Sequence, residues 1–189
     1  GQGDPELAAN GRQQAIQVGL RLAQLDVAAV YVTKLKRTAE TAAPLCQHLG
    51  LMPQLEPNLH EVHLGEWEAG ILRMKAHQND PIFLQMQAEE RWDAIPGAES
   101  TKLLEERVMR GIRNIALANP DKLIAAFVHG GVIGQVLATI TESRPFAFNA
   151  ADNGSISHIV VEGDRIALRR FNDTAHLGSE TAGAVQLPT

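Results

Sequence analysis

The segment that most constrains the fold is residues 122–140, KLIAAFVHGGVIGQVLATI, an apolar run that breaks at a histidine and two glycines and resumes at a different period. Residues 123–128 are unbroken in hydrophobicity and too short to span a bilayer, the pattern of a parallel strand covered on both faces. Gly130 and Gly131 let the backbone turn sharply, and Val132, Ile133, Val136, Leu137 and Ile140 then recur at helical spacing. A strand running straight into a helix puts His129 at the carboxyl end of a parallel strand, where open α/β sheets bind ligands. Two readings of His129 stand at this point: a site residue, or a hydrogen-bonded core histidine.

The rest of the chain repeats this alternation. Over 8–25, Ala15, Val18, Leu22 and Leu25 form an apolar stripe, with Arg12, Gln13, Gln17, Arg21 and Gln24 on the other side. Residues 27–33, VAAVYVT, read as a buried strand, and 34–49 as a helix that contains Pro44 and stops at Gly50. A weak strand is expected near 52–56. Residues 58–70, NLHEVHLGEWEAG, suit neither a helix face nor an alternating strand and read as a functional loop. Two short helices, broken at Asn79-Asp80-Pro81, are expected over 71–91 as part of a cap-like insertion spanning 71–100. Ser100 or Thr101 should cap a helix over 103–118 with Leu104, Val108, Ile112 and Ile115 inward. A hairpin pairs 155–161 with 165–171, and 175–189 read as a flexible tail. The order predicts one domain over 1–189, a three-layer α/β/α sandwich around a mostly parallel sheet.

Charge and cysteine content narrow the function. A chain of 189 residues with net charge −5 lacks the broad basic surface that nucleic acid or anionic lipid would need, so a small-molecule partner is expected. No apolar run reaches about 18 residues, and no membrane partner is expected. The single cysteine, Cys46, cannot form an intramolecular disulfide and fits a reducing, cytoplasmic location. Oligomeric state is left open, a homodimer included.

Three polar constellations fall at strand ends or on the loop: 33–38, 61–70 and 129–131. In a parallel sheet they converge on one edge. Arg37 opens a helix just past a strand end, where an arginine and a helix N-terminus together make an anion site, although in isolation a solvated helix charge is the commoner reading. Glu61 is a candidate general acid, since enclosure beside a substrate raises a carboxyl pKa toward neutrality. Composition alone does not separate it from Glu66 and Glu68. His60 and His63 read as solvent-facing loop histidines and Trp67 as a packing residue.

These residues resemble the histidine phosphatase superfamily, the phosphoglycerate-mutase-like proteins. GDPELAANGRQQA is similar to the family's first loop and helix, VYVTKLKRTAETA to its Y-[ST]-S-x-L-x-R segment, and LHEVHLGEWEAG to its L-x-E-x-x-x-G-x-W-E-G loop. PGAES and FVHGGVIG resemble its P-G-G-E-S and V-[SA]-H-G-G-x-I segments. Together they span nearly the whole chain in family order. The resemblance implies a metal-independent phosphomonoesterase, without cofactor, acting on a small phosphorylated metabolite through a phosphohistidine and releasing inorganic phosphate. It makes Arg37 a phosphate clamp, His129 the second histidine of the pocket, Glu61 the proton donor, and the Gly130 N–H a phosphate donor.

The departure is at the start. The family's Arg-His-Gly strand carries the nucleophile, and none of the seven histidines here follows an arginine. GQGDP looks cut rather than begun, so the attacking histidine and the central strand of the sheet are expected ahead of Gly1. Phosphoglycerate mutase-type transfer is the alternative enzyme, although Val62 follows the acid where those mutases have arginine, and the segment 85–90 offers no cation. A phospholigand-binding relative without the nucleophile is the alternative outside enzymes.

Overall fold

The computed structural model describes residues 1–178. Helix α1 (Ala9–Leu22) leads into strand β1 (Val27–Val32), helix α2 (Lys36–Leu49) and a two-residue strand β2 (Gln54–Leu55). Two 3-10 turns, Pro57–Leu59 and Gly65–Trp67, shape the next loop. Helices α3 (Ile71–His77) and α4 (Pro81–Glu89) follow, then a short 3-10 turn, the long helix α5 (Thr101–Ala118), strand β3 (Leu123–Ala126) and helix α6 (Gly130–Thr141). Strands β4 (Ile156–Glu162) and β5 (Arg165–Asp173) complete the order.

The parallel sheet runs β2-β1-β3, and β4–β5 form a separate antiparallel hairpin. Side chains leave β1 toward two cores. Ala29 and Tyr31 join one with Leu59, Val62, Trp67, Leu104, Val108, Val132 and Val136; Val30 and Val32 join the other with Val18, Leu45, Ala125 and Phe127. A register shift between Val27 and Ala29 puts Val27 on the same side as Val30, against strict alternation.

Local chemistry accounts for most boundaries. Gly50 ends α2 in the left-handed conformation (φ 67°), as its glycine predicts. Pro44 does not break α2. It lies where α1 crosses, and a Cβ on Gly19 would stand 2.9 Å from Pro44 Cβ and 3.1 Å from the Leu45 nitrogen, so glycine permits the close approach. Asp80 caps α4 by accepting from the Ile82 N–H at 2.9 Å, and Ser100 caps α5 by accepting from the Leu103 N–H at 3.2 Å.

Three expectations are corrected. Leu25 falls outside α1, in the turn before β1, and is 38% exposed. Strand β3 ends at Ala126 rather than Val128, and although Ala125 and Phe127 face one core and Ile124 and Val128 pack against the other, Leu123 and Ala126 stay exposed, since among the described residues no strand pairs with its far edge. Residues 175–178 are not a loose tail, since Leu177 is buried in the second core and His176 Nε2 lies 2.9 Å from the Gly154 carbonyl. The remainder of that expected tail, 179–189, lies outside the described residues. Among the described residues, no helix is long and apolar enough to cross a membrane.

Candidate active site

His129 follows β3 as the N-cap residue of α6 and is 5% exposed. Its Nε2 lies 2.9 Å from Thr33 Oγ1, at the end of the neighbouring strand β1. Thr38 Oγ1, on the first turn of α2, donates to the Leu35 carbonyl at 2.9 Å and accepts the Thr33 N–H at 3.1 Å. Thr33 Oγ1 also lies 3.2 Å from Thr38 Oγ1, so His129 Nε2 ends a buried chain of two hydroxyls. Burial, then the charges of Arg37 and Arg107, push the His129 pKa down to about 3.

Arg37 stands on the first turn of α2. Its Nη1 and Nη2 donate to the carbonyls of Gly3 (2.8 Å) and Gly1 (3.0 Å). The same loop is tied down by Asp4, which accepts the Lys36 N–H at 2.6 Å, and by Glu40, which accepts the Leu7 N–H at 2.7 Å. Arg37 is thereby held across the start of the loop with its charge felt at both His129 and Glu61.

Glu61 approaches from the other side. Its Oε1 accepts the Val62 N–H at 2.9 Å, and a Cβ on Gly131 would come within 2.9 Å of that oxygen and 2.5 Å of Val62 Cγ2. The first turn of α6 and the acid loop thus touch, and glycine at 131 makes the contact sterically feasible. Burial raises the Glu61 pKa, against the opposing influence of the Val62 N–H, Arg37 and Arg107. Glu66 is exposed, and Glu68 is occupied, accepting the Leu64 N–H at 2.7 Å and meeting His63 Nδ1 at 3.3 Å. Glu61 is the loop acid in contact with the His129 helix. Gly130 is half-buried, with open space where a Cβ would lie.

His60 departs from its expected place in solvent: it is half-buried, and its Nδ1 is 2.6 Å from the Pro57 carbonyl. His63 is exposed and Trp67 is buried, as expected. Among the described residues, no three His, Cys, Asp or Glu side chains are grouped to hold a metal ion.

Sequence reasoning missed Arg107, on α5. Its guanidinium meets Glu99 at both carboxylate oxygens (2.6 and 2.8 Å) and donates to the carbonyls of Asn58 (2.8 Å), His60 (2.7 Å) and Glu61 (3.3 Å). The available signal was its helical phase, one residue from Val108 and three from Leu104, an inward position for a charged side chain.

A parallel sheet flanked by helices, with His129 at the end of one strand, Arg37 just past the end of the next and the Glu61 carboxyl against the helix that follows His129, defines an α/β class with its polar residues at one sheet edge. The model of the histidine phosphatase superfamily (branch 1) matches residues 1–174, and the chain belongs to that superfamily. It is 30% identical over 141 residues to the probable phosphoglycerate mutase GpmB of Erwinia tasmaniensis and 28% identical over 140 residues to that of Escherichia fergusonii. Each match covers 74% of this chain and 65% of the relative, so the chain spans just under two thirds of the length of these relatives. Among solved structures, Bacillus stearothermophilus YhfR superposes with a TM-score of 0.82 at 23% identity, covering 93% of this chain and 89% of that one. The native mycobacterial glucosyl-3-phosphoglycerate phosphatase superposes at 0.79 with 24% identity, covering 92% and 90%. These two show a shared phosphoglycerate-mutase-like fold.

Proposed function

We propose that this chain carries much of the active site of a metal-independent phosphomonoesterase that releases inorganic phosphate from a small phosphorylated metabolite through a phosphohistidine. The observation that carries the reading is the contact between Glu61, a carboxyl held above its usual range, and the helix start where His129 and Gly130 offer donors to an anion, with the Arg37 charge felt at both Glu61 and His129. In this scheme the attacking histidine belongs to the Arg-His-Gly motif expected ahead of Gly1. Its nitrogen forms a bond to phosphorus as the ester P–O bond breaks, and the leaving alkoxide takes the Glu61 proton. Water then attacks phosphorus, the P–N bond breaks, and Glu61 recovers a proton from that water. Arg37, His129 and the Gly130 N–H stabilise the oxygens on which charge shifts in the loose transition state. The activities named for the structural neighbours, glucosyl-3-phosphoglycerate and α-ribazole phosphatases, belong to this chemical class, and one neighbour was solved with inorganic phosphate.

A second reading, mutase-type transfer, is favoured by the names of the curated relatives. A panel of phosphomonoesters offered to the full natural protein decides between them. Phosphate release that survives EDTA, and that Arg37→Ala and His129→Ala each lower by about 100-fold or more, is the expected result. Interconversion of phosphoglycerates without phosphate release would replace it with the mutase. Phosphate or vanadate binding with neither reaction would leave a phospholigand-binding protein.

A further inference from the structure

We propose that Arg107 and Glu99 form a brace that positions Glu61 for proton transfer, a role that rests on reading Glu61 as the proton donor. Among the described residues, no side chain donates a hydrogen bond to the Glu61 carboxyl, whose recorded bond is to the neighbouring Val62 N–H. Its placement therefore depends on the backbone that carries it. That backbone is held by one guanidinium, which donates to three carbonyls within four residues, those of Asn58, His60 and Glu61. Gln2 Nε2 adds a second donor to the Glu61 carbonyl at 2.6 Å.

The guanidinium is itself fixed. Both Glu99 oxygens receive it in the paired fork geometry that arginine provides and lysine does not. The two side chains are only 11% and 12% exposed, so water competes little for the pair. Burial works to raise the Glu99 carboxyl, but the Arg107 hydrogen bonds and charge outweigh it, and the net shift is downward. Glu99 is anchored at its own backbone, where its N–H donates to the His63 carbonyl at 2.9 Å. The brace thus grips the acid loop on both sides of Glu61. Leu59 secures the same loop from below, seated against Gly111 of α5, where a Cβ would meet Leu59 Cδ2 at 2.8 Å.

The pair also sets the field at the acid. Arg107 favours ionised Glu61, and Glu99, paired with Arg107, carries the opposite charge. Removing Glu99 alone exposes Glu61 to an uncompensated cation. Removing Arg107 alone frees the loop and leaves the Glu61 carboxyl chemically intact.

The test measures kcat for an alkyl phosphomonoester, which needs the proton, and for 4-nitrophenyl phosphate, which does not, in the full natural protein and in Arg107→Met, Arg107→Lys, Glu99→Gln and Glu61→Gln. The ratio of the two rates does not depend on how much of a variant is folded. We expect Glu61→Gln to lower the alkyl rate far more than the aryl rate, Arg107→Met to lower the ratio by about 10-fold or more, and Arg107→Lys to restore only part of it. Glu99→Gln should move the alkaline limb of alkyl turnover to lower pH. Unchanged ratios and an unmoved limb in the Arg107 and Glu99 variants, with Glu61→Gln still selective, would overturn the brace alone. Equal loss on both esters in Glu61→Gln would overturn the proton-donor reading and the brace with it.

Discussion

Two titratable residues that meet at the first turn of α6, His129 and Glu61, pull stability in opposite directions with pH. An unfolded histidine titrates near 6.5 and His129 near 3, so between those values the unfolded chain binds more protons and stability falls as pH falls. The loss begins as pH drops below about 6.5 and is complete near 3. Glu61 has the reverse sign. Its folded pKa lies above the reference 4.5, so the folded chain holds the extra proton and stability falls as pH rises through that window. Urea unfolding followed across pH should therefore flatten on the acid side in His129→Gln, by an amount on the order of a few kcal/mol at pH 4. Glu61→Gln should be more stable than the parent at pH 8 while losing turnover on alkyl esters. A site that costs stability where it contributes chemistry is the expected relation for a buried acid.

At the scale of elements, the first turn of α6 is defined by two adjacent glycines that do different jobs. A Cβ at 130 meets nothing within 4 Å, whereas one at 131 meets Val62 and Glu61. Gly130→Ala should leave the unfolding midpoint unchanged or slightly raised, because alanine favours the helix. Gly131→Ala should cost about 1–3 kcal/mol through overpacking and reduce alkyl-ester turnover by displacing the acid. Differential scanning calorimetry paired with the rate ratio checks both. The strand, the glycine pair and the helix were legible from the change of period at His129, the caps at Ser100 and Gly50 from residue type, and the break before α4 from Asn79-Asp80-Pro81. Arg107 was not, because its meaning depends on carbonyls some 46 to 49 residues away that no local pattern announces. The exposure of Ala126 was missed for a related reason: an apolar run does not reveal whether a strand has neighbours on both edges.

Across the whole molecule the two cores divide the work. The core containing Val62, Trp67, Val132 and Val136 supports the acid loop and α6, while the core containing Val30, Leu45 and Phe127 joins α1 and α2 to the opposite face of the sheet. Leu177 belongs to the second, brought there after β5 by a turn in which its N–H donates to the Thr174 carbonyl at 2.9 Å. Its side chain lies beside Gly154, where a Cβ would come within 3.3 Å of Leu177 Cδ2. A chain-end segment of small and polar residues gives no periodic signal, so this closure is invisible until the packing is known. If Leu177 closes the second core, Leu177→Ala leaves a cavity and should cost roughly 2–4 kcal/mol in urea unfolding. Because Glu61 and Arg107 hold their places through the first core and the brace, the alkyl-to-aryl rate ratio should not change. A fall in that ratio along with stability would mean that the second core also sets the acid's position.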